Sequence, residues 1–532
     1  MPEAVRPPPS SYPDLLHASI ADLSAGLAAG HFTSVDLTRA YLARIAEVNS
    51  TLRAVLETNP HALEQAAELD AERAEKGPRG PLHGIPILLK DNIATDPADG
   101  MQTTAGSFAL LGALPPRPAH IVTLLTRAGA LILGKASLSE WANFRGKVPS
   151  GWCARGGQCT NAYLCDGDPG GSSSGSGVAA AVGLAAACVG TETDGSILSP
   201  SRRNAVVGIK PTVGLTSRAG VIPISFTQDS AGPMTRCVYD AALLLRAMVG
   251  PDPRDAVTFQ QPTPLSDYTA CLTLSALRGA RIGVPRVLLP PQEQLETPLK
   301  VFEGALDVLR ELGATVVEDV TMPAANALGH GKRWGLLASE KRVLETEFRP
   351  GIEKYIADLP HVPTGVRTLE DLMAFNDTHA EQELIAPFYN SQSRWEASLP
   401  LQMDKDYHAA VEEGYRLCRT DGIDSALSKY TLDALVLPAD ANASTIAAVS
   451  GYPVITVPLG FLPTTTPMGS AMPTVDIGPG LPVGLAFIGG AWSEAALLGF
   501  AYAFEQRTRV RAEGRLRDEA MPKTQLKDVV GK

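Results

Sequence analysis

The feature that most constrains the fold is a run of small apolar residues between two glycine-rich turns. From Val178 to Cys188 nearly every residue is Ala, Val, Gly or Leu, which predicts a helix that is apolar on all sides and therefore buried. The turn D-P-G-G-S-S-S-G-S-G precedes it at 168–177, and G-T-E-T-D-G-S-I follows at 190–197. Glycines leave backbone N–H groups open to a ligand, and each turn also presents a hydroxyl. This is the layout of a hydrolytic site.

Apolar strands and amphipathic helices alternate along much of the remaining chain. Ile85 to Leu89 form a continuous apolar run, which is typical of a strand buried on both faces. A second run of this kind, Ala130 to Gly134, follows the helical pattern of Ile121 to Ala128. This alternation predicts parallel strands joined by crossover helices. Similar patterns predict helices at 19–30, 34–49, 61–76, 239–249, 297–312 and 495–507, and strands at 281–285, 314–320, 432–438, 452–458 and 481–489.

The charge balance limits the classes of partner. The chain has 532 residues and a net charge of −11, without a basic stripe or a polybasic run. We therefore expect no nucleic acid and no membrane as a partner, because both would attract a basic surface. Small molecules or peptides are the expected ligands.

The first residues and the cysteines indicate the compartment. The N-terminus lacks the basic and apolar regions of a signal peptide, and no uninterrupted span of about 20 apolar residues occurs. Seven cysteines, an odd number, favour free thiols, and their spacing matches no recognised zinc site. We therefore expect a cytoplasmic protein without a bound metal.

Lys90 directly follows the apolar strand at 85–89. Burial at this position would disfavour the ammonium form and lower the pKa of the lysine toward neutrality, so that the amine could act as a base. The alternative is a lysine that extends past the end of the strand to reach water. The pattern alone leaves both interpretations open.

The serines of the first turn have three interpretations. Ser172, Ser173 and Ser174 could cap the buried helix, as serines often do. Gly171 to Gly175 also matches the G-x-S-x-G nucleophile elbow of α/β-hydrolases with Ser173 as nucleophile, but the strand that an elbow requires does not precede it. A phosphate-binding loop is the third interpretation, and its lysine-containing motif is absent.

Ser196 lies in a turn whose main-chain N–H groups could converge on one point. Such a nest suits the oxyanion of a tetrahedral intermediate. The alternative is a structural turn with a solvated serine. None of the nine histidines lies in a recognisable triad motif, which weakens a Ser-His-Asp interpretation without excluding it. The candidate donors are the N–H groups of Thr193, Asp194, Gly195 and Ser196.

Several ordered motifs resemble those of one enzyme family. The chain is similar to the amidase signature family, in particular to the peptide amidase branch of bacteria and fungi. The likeness covers most of the chain from Ser19 to Arg507 and is weakest across 250–430. The motifs that carry it include G-I-P-I-L-L-K-D-N-I (84–93), L-S-E-W-A-N-F-R-G (138–146), G-G-S-S-S-G-S-G (170–177), G-T-E-T-D-G-S-I (190–197), G-I-K-P-T-V-G-L-T-S-R-A-G-V-I-P-I-S (208–225) and Q-D-S-A-G-P-M (228–234).

The resemblance implies a role for each catalytic position. Ser196 matches the acylated nucleophile of the family, Ser172 matches a bridging serine in a cis peptide, and Lys90 matches the base. The implied reaction is hydrolysis of an amide without metal or cofactor. The resemblance also implies that the loop of Gly146 contacts the substrate. The expected oxyanion donors at Thr193, Asp194 and Gly195 come from the geometry of the turn.

The resemblance also implies the architecture, which is a large single-domain α/β/α sandwich with a mixed, mostly parallel twisted sheet flanked by helices. We expect a Pro-rich lead at 1–18, an amidase domain at 19–510 and a C-terminal tail at 511–532. Residues 324–430 are predicted to be helical and could cap the site. That region and the irregular stretch 141–165 are expected to set specificity.

Two positions depart from the family pattern. Many members carry Arg two residues after the nucleophile, where this chain has Leu198, and this difference argues against small acidic substrates. Asp168 stands where Ser or Thr is common, and it adds a carboxylate near the first turn.

Together these observations predict an amidase with a Ser-Ser-Lys triad that acts on small primary amides or on peptide C-terminal amides. A homodimer is one option for its assembly. Two alternatives stay open. One is a catalytically silent subunit that only binds a ligand or partner, and the other is a Ser-His-Asp esterase that uses Ser173.

Overall fold

The computed structural model describes residues 12–289, 292–328, 337–439 and 442–532. Within these ranges an eleven-stranded sheet is flanked by helices, and a separate two-stranded ribbon lies outside it. The strands are β1 Val55–Thr58, β2 Pro86–Lys90, β3 Leu131–Ala136, β4 Trp152–Cys153, β5 Gly157–Gln158, β6 Ala187–Glu192, β7 Val207–Lys210, β8 Ser230–Thr235, β9 Arg281–Gly283, β10 Thr315–Val317, β11 Ala434–Pro438, β12 Val454–Phe461 and β13 Pro482–Ile488.

The helices of the described residues cover both faces of this sheet. They are α1 Ile20–Ala28, α2 Ser34–Leu52, α3 Ala62–Lys76, α4 His120–Arg127, α5 Ser174–Val182, α6 Leu198–Arg203, α7 Val238–Met248, α8 Gln292–Glu311, α9 Ala325–Leu328, α10 Ala338–Ala357, α11 Leu369–Thr378, α12 Ala380–Glu383, α13 Ser393–Ser398, α14 Lys405–Tyr415, α15 Ser425–Tyr430, α16 Ala443–Ser450 and α17 Glu494–Thr508.

The predicted α/β sandwich with a mixed sheet is confirmed. The strand order is β1-β3-β2-β6-β8-β7-β12-β13-β11-β9-β10. The predicted predominance of parallel pairs holds at the two flanks, formed by β3, β2 and β6 and by β11, β9 and β10. The pairs between β6 and β11 are antiparallel. Loops without a helix join β7 to β8 and β12 to β13, whereas a parallel neighbour would need a crossover connection.

The buried helix differs from its predicted bounds. Helix α5 covers Ser174–Val182 instead of 178–188, and all of its residues are buried. It ends at Gly183, which has a φ of +69° and would place an added Cβ only 2.5 Å from the Leu15 carbonyl oxygen. The small apolar residues that follow form β6 instead. Periodicity could not separate the two elements, because a run that is apolar on every side fits a buried helix and a buried strand equally well.

Most other predicted elements are confirmed within a few residues, but the sequence analysis missed β1, β7 and β8. Strand β1 is a short edge strand that pairs only with β3. Strands β7 and β8 contain Gly208, Gly232 and Pro233, which are residue types depleted in strands. Close packing requires a glycine at 232, because an added Cβ would overlap the carbonyl oxygen of Ile209.

The region 324–430 is helical over most of its described residues, from α9 to α15, while residues 329–336 lie outside the described residues. It packs onto the segment 138–146. The rings of Trp395 and Trp141 meet edge to face at 5.3 Å between centroids, and Phe348 lies 4.9 Å from Phe144. The function of this region as a cap stays a prediction.

The two ends of the described chain lie near helix α2. Buried Arg44 of this helix donates to the carbonyl oxygen of Thr524 at 2.7 Å, and Gln525 accepts from the N–H of Leu15 at 2.8 Å. Leu526 is fully buried. The predicted tail at 511–532 is therefore packed on the domain, and its boundary stays a prediction. Residues 1–11 of the predicted lead lie outside the described residues.

We expect Gly232→Ala to destabilise the protein, because the added methyl group would collide with the backbone of the neighbouring strand. Overpacking of this kind costs roughly 1–3 kcal/mol and sometimes more. Gly304→Ala is the matched control. It adds the same methyl group at an exposed position of α8 with no atom of the described residues within 4 Å, and it should stabilise the helix by about 0.5–1 kcal/mol. Thermal unfolding midpoints that shift equally in both variants would contradict this packing.

Candidate active site

Strand β2 carries Lys90 into the interior at the carboxyl end of the strand. The side chain is fully buried. Its Nζ atom lies 2.7 Å from the Oγ of Ser172 and 2.9 and 3.1 Å from the Oγ1 and the carbonyl oxygen of Thr191. The alternative of a lysine that extends to water is therefore wrong.

The amine can make these three contacts in either protonation state. A neutral amine has two N–H donors and one lone pair, so it can donate to both oxygens of Thr191 and accept from the Ser172 hydroxyl. Burial lowers the pKa of Lys90 to about 7, although the negative charges of Asp229 and Glu192 raise it. A substantial fraction of this lysine is therefore neutral near pH 7.

The first glycine-rich turn contains a cis peptide bond between Gly171 and Ser172. Ser172 is fully buried, and its carbonyl oxygen accepts from the N–H of Ser139 at 2.9 Å. The Ser173 hydroxyl faces β6, where it donates to the carbonyl oxygen of Thr191 at 3.0 Å and accepts from its N–H at 3.2 Å. This side chain ties the turn to the sheet, which does not favour the nucleophile elbow or the esterase that would use Ser173.

The second glycine-rich turn lies directly against the first. The N–H of Ser173 donates to the carbonyl oxygen of Ser196 at 3.0 Å. Ser196 is 7% exposed, and no hydrogen bond joins its hydroxyl to another residue within the described ranges. The structure thus joins Lys90 to Ser172 by a hydrogen bond and places the turn of Ser196 beside the turn of Ser172. The assembly of the three residues into a triad stays a prediction.

The backbone N–H groups at 193–196 donate to no acceptor among the residues that the structure describes. The next two N–H groups, those of Ile197 and Leu198, are taken up by the carboxylate of Glu192 at 2.6 and 2.9 Å. The N–H groups of this turn without an acceptor among the described residues are therefore those of residues 193–196, and the two that follow are already bonded to Glu192. Preorganised donors of this kind stabilise a developing oxyanion.

Asp229 holds this turn from the opposite side. Its Oδ1 accepts from the Thr193 hydroxyl at 2.5 Å, and its Oδ2 accepts from the N–H groups of Ile224 and Ser225 at 2.8 and 3.0 Å. Burial raises the pKa of Asp229, while these hydrogen bonds lower it. Asp229 therefore fixes Thr193 and also acts on the charge state of Lys90.

Sequence reasoning missed Thr191 and Asp229 as site residues. Both lie inside motifs that the family resemblance had already marked, at 190–197 and 228–234. Their place in these motifs was the sequence feature that could have identified them as site residues. Position along the chain does not reveal that both side chains face Lys90.

Gly146 packs against the turn at Ser391, whose carbonyl oxygen would lie 2.5 Å from an added Cβ. The loop before it is held by a buried ion pair between Glu140 and Arg145, and Arg145 also donates to the carbonyl oxygen of Glu383 at 2.6 Å. This contact explains the glycine by packing. The contact of Gly146 with substrate stays a prediction.

Asp168 contacts the first turn. Its carboxylate accepts from the N–H of Gly170 at 2.7 Å and lies 3.6 Å from Arg203. The negative charges that raise the pKa of Lys90 belong to Asp229 and Glu192 instead. Asp168 therefore shapes the backbone of the turn.

Metal clusters and membrane-spanning helices were both sought in the described part of the chain. No group of three or more His, Cys, Asp or Glu side chains there is arranged to hold a metal ion. None of the helices described is long and apolar enough to cross a bilayer. All seven cysteines are free thiols.

Comparisons with known proteins give concordant matches. A sequence model of the Amidase family matches residues 36–498. A putative amidase from Arthroderma benhamiae is 39% identical over 552 residues, covering 99% of this chain and 91% of the relative. Native peptide amidase from Stenotrophomonas maltophilia is 43% identical with a TM-score of 0.81, covering 95% of this chain and 98% of that structure. Peptide amidase PAM, solved with the competitive inhibitor chymostatin, is 45% identical with a TM-score of 0.82, covering 93% and 98%.

We expect Lys90→Met to change how thermal stability depends on pH. The wild-type amine is largely neutral in the folded protein above about pH 7, but it is protonated in the unfolded chain up to its ordinary pKa of 10.5. Folding therefore releases a proton in this range, so the stability contributed at Lys90 rises by up to about 1.4 kcal/mol per pH unit. Unfolding midpoints between these pH values should rise more steeply for the wild type than for Lys90→Met.

The matched control for this measurement is Lys76→Met, because Lys76 is an exposed lysine with a 67% accessible side chain. It should leave the wild-type slope unchanged. Parallel curves for the wild type and Lys90→Met would contradict a neutral Lys90.

Proposed function

This chain belongs to the Amidase family and is an amidase that hydrolyses linear amides, and we propose that it does so through a serine acyl-enzyme. Ser196 is the nucleophile, Ser172 is the bridging group and Lys90 is the base. The observation that carries the proposal is the 2.7 Å contact between the buried Lys90 amine and the Ser172 hydroxyl, beside the turn of Ser196.

In the acylation step the proton of the Ser196 hydroxyl passes to Ser172 while the Ser172 proton passes to the neutral Lys90 amine. The Ser196 oxygen bonds to the amide carbonyl carbon, and the carbonyl electron pair moves onto oxygen. Collapse of this intermediate breaks the C–N bond, and the proton returns through Ser172 to the leaving nitrogen. Water then attacks the ester, its proton follows the same relay, and Ser196 departs as the free hydroxyl.

The oxyanion is stabilised by the free N–H groups of the second turn. Thr193, Asp194, Gly195 and Ser196 supply them, and no protein acceptor among the described residues competes for them. Loss of one such donor typically lowers the rate by about 10²–10³-fold. The geometry of this turn is therefore as important to the proposal as the three catalytic side chains.

The proposed substrates are small primary amides, including the C-terminal amides of peptides. Two similar solved structures are named peptide amidases. Leu198, two residues after the nucleophile, is fully buried and apolar, so this position offers no charge to an acidic substrate. A comparison of kcat/KM on amidated dipeptides, aliphatic amides and aryl amides tests this choice. The cytoplasmic location and the homodimer also stay proposals.

Ser196→Ala should lose both turnover and acyl-enzyme formation while its thermal unfolding stays cooperative. A fluorophosphonate probe followed by peptide mapping should place the label on Ser196 in the wild type and nowhere in the variant. Ser199→Ala, three residues further along the chain, is the control and should label as the wild type does. A label on Ser173 would instead support the esterase, and an unlabelled wild type would support the silent subunit.

The pH dependence of kcat/KM should rise about tenfold per pH unit below pH 7 and level off above it, because only the neutral Lys90 accepts a proton. The measurement should use a substrate without titratable groups, so that the rise in kcat/KM reports a group of the enzyme. Asp229→Asn removes a negative charge that raises the pKa of Lys90, so it should move the rise to lower pH. A flat profile, or a rise that Asp229→Asn leaves in place, would contradict Lys90 as the base.

A further inference from the structure

The proposed mechanism uses the backbone of the second turn but gives no role to the side chain of Asp194. The Oδ2 atom of this residue accepts from the Thr445 hydroxyl at 2.9 Å. Its Oδ1 atom is buried and has no hydrogen-bond partner among the described residues. A buried carboxylate oxygen without a donor is costly.

Glu340, in the first turn of α10, also has a buried carboxylate oxygen without a hydrogen-bond donor in the described part of the chain. Its side chain is 1% exposed, and its Oε1 atom accepts from the Nε2 of Gln228 at 3.0 Å. Its Oε2 atom is buried without a donor among the described residues. Gln228 also donates to the carbonyl oxygen of Thr193 at 3.3 Å, so Glu340 is already linked to the turn once.

The two carboxyls act on each other's charge state. Burial raises the pKa of Glu340 well above its ordinary value, and the charge of Asp194 raises it further. Burial also raises the pKa of Asp194, which hydrogen bonds from Thr445, Ser444 and Glu340 lower. Two ionised carboxylates can only accept, so one proton between them is needed to satisfy both oxygens and to remove the repulsion of two buried charges.

The charged groups around this pair fit a single negative charge. The guanidinium of Arg394 faces both carboxyls and lowers the pKa of each. Buried Lys210 and Glu192, which have opposite charges, also interact electrostatically with Asp194. One proton on the pair leaves one negative charge for Arg394 to balance.

We propose that Glu340 is a positioning residue for amide hydrolysis, because the proton it shares with Asp194 holds the turn of Ser196 and its N–H donors against helix α10. This inference rests on the proposed function. Without Glu340 the turn would lose this tie, and the Asp194 carboxylate beside the developing oxyanion would lose a hydrogen-bond donor. The loss would affect the transition state more than substrate binding, since the donors act on charge that forms during the reaction.

The test compares Glu340→Ala with Glu340→Gln. Glu340→Ala should lower kcat by about 10²–10³-fold, the cost of a misplaced oxyanion donor, while KM changes by less than about tenfold. Glu340→Gln should keep kcat within about tenfold of the wild type, because its amide N–H can donate to Asp194 while its oxygen still accepts from Gln228. If Glu340 only stabilised the fold, Glu340→Ala would not lower kcat while KM stays nearly unchanged, and Glu340→Gln would not restore kcat.

Two further variants complete the experiment. Glu353→Ala removes another carboxylate of α10, which pairs with Arg349 of the same helix at 3.0 Å, and kcat should stay near the wild-type value. Asp194→Ala keeps the backbone donor but removes the same contact from the side of the turn. The double variant Asp194→Ala/Glu340→Ala should lose no more kcat than the more impaired single variant. Asp194→Ala also serves if Glu340→Ala does not fold, as judged by circular dichroism.

The outcomes separate the two proposals. A wild type that is labelled at Ser196 and active, with Glu340→Ala equal to it in kcat, would overturn the positioning role alone. Equal losses in Glu340→Gln and Glu340→Ala would overturn the shared proton. A wild type that is neither labelled at Ser196 nor active on amides would overturn the proposed function, and the positioning role with it.

Discussion

The rest of the site depends on the burial of the Lys90 amine away from water. Lys90 would carry a charge in solvent, and burial lowers its pKa to about 7. The two oxygens of Thr191 then take both N–H groups of the neutral amine, which leaves its lone pair for Ser172. A charged amine would have no lone pair and could only donate to this hydroxyl. Burial therefore decides the direction in which a proton can move.

The sheet creates this arrangement through register. Strands β2 and β6 are parallel neighbours with Leu89 opposite Val189, so Lys90 and the residues after Val189 leave the sheet at the same edge. Helix α5 runs between the first turn and β6, and thus brings Ser172 to that edge as well. Ligands of α/β proteins commonly bind at the carboxyl ends of parallel strands. The antiparallel centre of the sheet then supplies β8, which begins directly after Asp229.

The fold class and the three central side chains could be predicted from the sequence, because apolar runs mark buried strands and the two turns lie in ordered motifs. The end of α5 at Gly183 and the strands β7 and β8 could not, since glycine and proline there serve packing against distant backbone. Glu340 could not be predicted either, and Asp229 was marked only by its place in the motif 228–234. Their contacts join segments far apart in the chain. The local hydrophobic periodicity of a sequence does not show which polar side chain will face a buried partner.

The link between the two turns has a consequence for how such an enzyme can diversify. Ser173 holds the second turn only through main-chain atoms, the carbonyl and N–H of Thr191 and the carbonyl of Ser196. Every residue type offers that carbonyl, and nearly every one offers that N–H. Side chains between Thr191 and Ser196 can therefore be replaced while these bonds to the first turn are kept. Position 173 has to keep a small hydroxyl, and position 190 has to stay glycine because an added Cβ would lie 2.8 Å from the Ser173 Oγ.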